Sequence, residues 1–306
     1  MTARTPNLSN GATVGVVAAS SALDDLTAVH QGLDLLKAWG LTIPSTGIQP
    51  RRWGYLAGTD RERLADLQPD PRPALLACAR GGWGAARLLE HPLDWQPGWL
   101  LGFSDVTALL MARQAAGFDG GVHGPLLSTL AAEPAWSQRR LRQLLFGEEL
   151  QDLQGSSWAG GVAEGPLIAA NLTVASHLLG SDHMPDLRGA ILILEDVGER
   201  PYRLDRMLTH WRLTGTLQNL AGLGFGRFSN CDDNPCDDDN TDDNNSGNTT
   251  IDGQVTAMTV LRERSRDLGI PVVADLPVGH GSEGNAALPI GRPARLDGDQ
   301  GRLRML

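Results

Sequence analysis

The run Gly102-Phe103-Ser104-Asp105-Val106-Thr107 puts a hydroxyl where an apolar stretch, Trp99–Phe103, gives way to a helical pattern over Val106–Ala116. A serine on such a strand-to-helix turn exposes its Oγ at a sheet edge. The helix N-terminus behind it offers unpaired N–H groups and partial positive charge to a developing oxyanion. This is the logic of a nucleophile elbow, although Val106 stands where G-x-S-x-G has its second glycine. Helix capping by Ser104 or Asp105 fits the same local sequence. A second turn, Arg80-Gly81-Gly82-Trp83-Gly84, follows another apolar run. Paired glycines let backbone N–H groups approach a ligand closely, or simply make a tight turn. No P-loop Lys-Ser/Thr and no complete G-x-G-x-x-G accompanies it, so a nucleotide cradle has little support.

A nucleophilic serine needs a base and an acid to orient that base. Glu195 directly follows the apolar run Ala190–Leu194, where a carboxylate is costly without a partner. Asp196 and Glu199 offer the same chemistry nearby. Among seven histidines, His30, His177 and His210 fall on helical patterns, and His91 and His183 in loop-like sequence. His123 in Gly121-Val122-His123-Gly124-Pro125 and His280 in Pro277-Val278-Gly279-His280-Gly281 both sit in glycine-rich turns after apolar residues. Local pattern does not separate these two.

The elements that would position these groups read as strand–turn–helix units. Thr13–Ala19, Ala74–Ala79 and Trp99–Phe103 are short apolar runs, followed by helical patterns over Asp24–Gly40, Gly84–Leu89 and Val106–Ala116. Such alternation implies a parallel, Rossmann-like sheet with flanking helices, and ligands gather beyond the carboxyl ends of its strands. The turns at Ser20, Gly81 and Ser104 share that edge. A helix over 134–147 closes this first unit, 1–147. A polar, glycine-containing linker spans 148–163, and a smaller strand-rich α/β domain covers 164–306. The expected fold class is therefore α/β with two domains.

Length and composition agree: 306 residues, 41% hydrophobic, 37 glycines. No run of roughly 18 apolar residues offers a membrane span, and MTARTPNLSNG lacks an apolar signal core, so a cytoplasmic protein is expected. The net charge of −10 is concentrated: residues 231–250 hold seven Asp, leaving −3 elsewhere. No basic patch of the kind nucleic acid requires is evident. The acidic segment 229–250 reads as a solvated loop. Its Asp242-x-Asn244-x-Ser246-Gly247 imitates a calcium loop but has Gly253 where a bidentate Glu is needed. Three cysteines, Cys78, Cys231 and Cys236, make no disulfide framework, and Cys78 in ALLACA reads as a buried thiol.

Taken in order, GATVGVVAASS, CARGGWGAARLL, LLGFSDVTALL, VHGP, LEDVGERPYRLDRML, LPVGHG and LPIG resemble the LD-carboxypeptidase family, serine peptidases that include microcin C self-immunity peptidases. The resemblance implies a triad of Ser104 as nucleophile, His280 as base and Glu195 as its acid partner, meeting at the domain interface. It decides for His280 over His123. It also implies oxyanion donors in the backbone of Asp105 and of Gly81 or Gly82, no metal or cofactor, a murein tetrapeptide ending in D-alanine as substrate, and a homodimer. Ala18-Ala19-Ser20 stands for the common A-P-S, Trp83 for Tyr, and Ala169-Ala170-Asn171 for G-G-N. Arg80, Trp83 and Asn171 are therefore the expected substrate-binding residues, with Arg87 and Arg203 further candidates for a substrate carboxylate. A peptidase or amidase acting on aminoacyl conjugates, with Trp83 or Trp158 stacking a nucleobase, is the alternative enzyme. A non-catalytic two-domain binding protein is the alternative from another class.

Overall fold

The computed structural model describes residues 4–44, 48–232 and 255–306. Val14–Val17, Leu75–Cys78, Trp99–Gly102 and Gly121–His123 run parallel in that spatial order. Leu75–Cys78 and Trp99–Gly102 are buried along their whole length. This is why they read as unbroken apolar runs rather than alternating ones. Helix Thr27–Ala38 buries Val29, Leu33 and Leu36, spaced along one face. Helix Thr107–Ala115 is buried from Thr107 to Arg113, and Ala135–Phe146 ends on left-handed Gly147. The expected helix over Gly84–Leu89 is only a 3-10 turn, Ala86–Glu90.

In the second half, Val162–Asn171, Ile191–Val197, Gly222–Ser229 and Val272–Ala274 form a parallel core within an eight-stranded sheet. Pro293–Asp297 and Arg302–Met305 extend it antiparallel. Helices Pro201–Leu213 and Ala257–Ser265 pack on each other. The α/β class and two-part organisation expected from the sequence are present.

Three further features differ from expectation. The stretch 148–163 is not a bare linker. Leu153–Gln154 pairs with Arg302–Met305, and Ser156–Ala159 pairs with Val272–Ala274. These strands are too short and too interrupted by glycine to leave a periodic signal. Leu288–Pro289 returns to the first sheet, pairing antiparallel with Gly121–His123. A strand over Arg51–Leu56 pairs with Ser21–Leu23. Cys78 is fully buried. The calcium-like segment, Cys236 and most of the acidic stretch lie outside the described residues. Among the described residues no helix is long and apolar enough to cross a membrane.

Candidate active site

Ser104 has a φ of 62°, in the left-handed region. A residue with a side chain is destabilised there by about 1–2 kcal/mol, a strain kept only where its surroundings over-determine it. Gly102 is part of that constraint, since a Cβ on it would lie 2.6 Å from Val106 Cγ1. The following carboxylate is another: buried Asp105 accepts the Ala85 N–H at 2.8 Å. Burial pushes the Asp105 carboxyl up, and the Ala85 N–H works against that rise. Asp105 thus ties the glycine turn to the elbow. Neither Ser104 nor Asp105 caps the helix Thr107–Ala115, whose N-cap is Val106 with no side-chain hydrogen bond.

Gly81 lies directly against the serine. A methyl group on it would stand 3.1 Å from Ser104 Cβ and 3.2 Å from Oγ. Gly82, at φ 110°, packs on Ser21, whose hydroxyl donates to the Gly81 carbonyl at 2.8 Å. Gly81→Ala is therefore expected to fill the space beside Oγ without straining the backbone. Turnover should fall by roughly 10²-fold, the scale of a lost oxyanion contact, with little change in melting temperature. Steady-state kinetics and a thermal melt check this; an unchanged kcat would mean the space is not used.

The carboxyl ends of the two parallel strand sets converge here. His280 Nε2 lies 3.1 Å from Ser104 Oγ, and its Nδ1 lies 2.7 Å from Glu195 Oε2. The same oxygen accepts the His280 backbone N–H at 3.2 Å. Gly279, at φ 102°, leaves room for this: a Cβ there would sit 2.6 Å from Glu195 Oε2. The Phe103 ring packs on the imidazole, 4.8 Å between centroids. Glu195 is wholly buried, while the His280 side chain is 23% exposed. Burial pulls the His280 pKa down, but the hydrogen bond and charge of Glu195 and the charge of Asp196 outweigh it, so the net shift is upward. The geometry lets Ser104 donate to a neutral Nε2 while Nδ1–H donates to the carboxylate.

His123, the competing histidine, ends a strand and is fully buried beneath Phe103. Burial lowers its pKa to about 4, so it stays neutral. Asn171 is also buried. Its Nδ2 donates to Asp196 Oδ1 at 3.0 Å and Glu195 Oε1 at 3.3 Å, and its Oδ1 accepts Val174 N–H at 3.0 Å. Its backbone N–H bonds Thr107 Oγ1 at 3.0 Å, joining the second sheet to helix Thr107–Ala115. Its amide is thus committed to the back of the carboxylate pair. Arg80 is exposed and reaches the Ala22 carbonyl at 3.1 Å; Trp83 is 58% exposed on the same turn. Arg87 pairs with Asp60, Arg203 with Glu199, and Trp158 packs on Phe225. Asn285 was not singled out by the sequence. Its Oδ1 accepts the Gly279 N–H at 2.8 Å, and its own N–H bonds Glu133, clamping the turn that carries His280. Nothing in its local sequence marks that task.

Comparison with known proteins gives the class. The chain matches the models for the LD-carboxypeptidase N-terminal domain over residues 14–124 and its C-terminal domain over 164–296. These define a serine-type carboxypeptidase, a hydrolase. The chain belongs to the LD-carboxypeptidase family. A Synechocystis protein with a provisional carboxypeptidase name is 45% identical over 98% of this chain and 96% of its own. The murein tetrapeptide carboxypeptidase of Pseudomonas aeruginosa is 32% identical over 81% of each chain. The crystal structure of a muramoyltetrapeptide carboxypeptidase from Oxalobacter formigenes superposes with a TM-score of 0.79 at 25% identity, covering 96% of this chain and 97% of that one. The microcin C7 self-immunity protein, in complex with aspartyl sulfamoyl adenosine, shares the fold at a TM-score of 0.80 and 19% identity, over 99% and 98% of the two chains.

Proposed function

We propose that the protein hydrolyses the L,D-peptide bond to the terminal D-alanine of murein tetrapeptides, with Ser104 as nucleophile. The carrying observation is the chain of contacts from Ser104 Oγ through His280 to buried Glu195, at 3.1 Å and 2.7 Å. Ser104 Oγ attacks the carbonyl carbon as its proton passes to His280 Nε2. Glu195 holds the imidazole tautomer and stabilises the cation. Backbone N–H groups of Asp105 and of the Gly81–Gly82 turn receive the oxyanion. The C–N bond then breaks, His280 returns the proton to the leaving amine, and D-alanine departs. Water, deprotonated by His280, releases the acyl group from Ser104. In this scheme Arg80 and Trp83 border the substrate and Asn171 positions the carboxylates. A homodimer, by resemblance, and a cytoplasmic location belong to the same proposal.

The test is D-alanine release from purified murein tetrapeptide as a function of pH. His280 must be neutral to act as base, so kcat/KM should rise with pH and be lost as pH falls through a midpoint above the ordinary 6.5. A midpoint below 6.5 would contradict the role given to Glu195. No release by folded protein at any pH would discard the murein substrate; aminoacyl sulfamoyl nucleosides then become the next substrates to try.

A further inference from the structure

The scheme above leaves one buried carboxylate next to the triad without a task. Asp196 is 2% exposed. Neighbouring residues on a strand ordinarily face opposite sides of the sheet. Here the register against Gly222–Ser229 slips beside Glu195: Leu194 stands opposite Phe225 and Asp196 opposite Phe228, so the extra residue lies in that neighbouring strand. Both carboxylates nevertheless meet the same amide: Asn171 Nδ2 donates to Asp196 Oδ1 at 3.0 Å and to Glu195 Oε1 at 3.3 Å. Three further donors fix Asp196. Thr173 N–H and Oγ1 reach Oδ2 at 2.9 and 2.8 Å, and Val197 N–H reaches Oδ1 at 2.8 Å.

We propose that Asp196 is a positioning residue of the triad: its anion holds the Asn171 amide against Glu195 and sets a second negative charge behind His280. This role rests on Ser104, His280 and Glu195 acting as the triad. Burial, with the charge of Glu195, pushes the Asp196 carboxyl up to about 6, while the Thr173 and Val197 donors oppose the rise. The group is thus ionised above that pH, where His280 is needed as a base. Among the described residues the titratable groups around it are few. Glu195 adjoins it on its own strand and His280 faces it from the Pro277–Gly281 turn. Cys231, beyond Gly222–Ser229, has a thiol that burial pushes up to about 12, and neutral His123 faces Glu195 and His280 from the first sheet. Asn171 and Thr173 contribute neutral donors.

The experiment follows the imidazole by NMR in ring-15N-labelled full-length protein and, in parallel, measures Ser104 phosphonylation by a fluorophosphonate across pH. Neither readout needs a peptide, so a protein that acts on some other substrate still answers the question. In wild type the His280 resonances should carry a second inflection near pH 6, from a coupled carboxylate. Thr173→Val removes one donor to the anion and should move that inflection to higher pH, which assigns it to Asp196. Asp196→Asn should abolish the inflection and lower the His280 midpoint by roughly half a unit or more. It should also slow phosphonylation at the high-pH plateau by about threefold to tenfold, leaving KM for any substrate found unchanged. A single inflection in wild type, or one that Thr173→Val leaves in place, overturns the proposal even if Asp196→Asn does not fold. A His280 midpoint unmoved in a folded Asp196→Asn overturns it as well.

Discussion

Ser104→Ala is expected to lower turnover by about 10⁴-fold or more while leaving stability within about 0.5 kcal/mol of wild type. The catalytic loss follows from the removal of the hydroxyl oxygen placed 3.1 Å from His280 Nε2, the atom that would be acylated. The small stability change follows because the side chain is only partly buried and alanine inherits the same φ of 62°. Ser104→Gly separates the two effects further. It should be equally inactive yet melt higher, since glycine adopts that φ without the strain of about 1–2 kcal/mol that a side chain incurs. Steady-state kinetics and thermal melts on both variants check this. Appreciable turnover by Ser104→Ala, or its failure to fold, would contradict the role given to the elbow.

Glu195→Gln carries the second large expected effect, a loss of roughly 10³–10⁴-fold in kcat with the fold retained. The amide keeps the shape of the carboxylate but has only one acceptor oxygen. Glu195 faces donors on both sides, His280 Nδ1 and N–H at Oε2 and Asn171 Nδ2 at Oε1. An NH2 turned toward His280 selects the wrong tautomer; one turned toward Asn171 opposes its amide. Loss of the charge also removes the main attraction that raises the His280 pKa above its ordinary value. The acid limb of the residual activity should therefore move to lower pH, which the pH profile of the variant reads directly. Wild-type kcat in this variant would mean that Glu195 is not the acid partner, with Asp196 the nearest carboxylate to test in its place.

Much of this architecture was legible because burial on both faces writes strands as plain apolar runs, as in Leu75–Cys78 and Trp99–Gly102. Ser104 was legible as a hydroxyl at a strand-to-helix turn, though its left-handed φ was not. Arg51–Leu56 escaped because Arg52 to Tyr55 are exposed and form no apolar stripe. The two strands within 148–163 escaped for want of length. The contest between His123 and His280 could not be settled from their glycine-rich neighbours. It depends on which histidine is sealed beneath Phe103 and which stands at a turn facing Ser104, a matter of long-range pairing. Asn171 was expected in the substrate pocket from the family resemblance alone. Its amide meets both Asp196 Oδ1 and Glu195 Oε1, two neighbours on one strand that alternation would send to opposite faces, and that meeting leaves no mark in residue type.

The most direct test of the central claim is covalent capture of the nucleophile. Wild-type protein is treated with a fluorophosphonate, its intact mass is measured, and the adduct is located by peptide mapping. One adduct on Ser104, formed by wild type and largely absent in His280→Ala and Ser104→Ala, is the result expected of a serine activated by His280. An adduct on a different residue, or capture of Ser104 undiminished in His280→Ala, would contradict it.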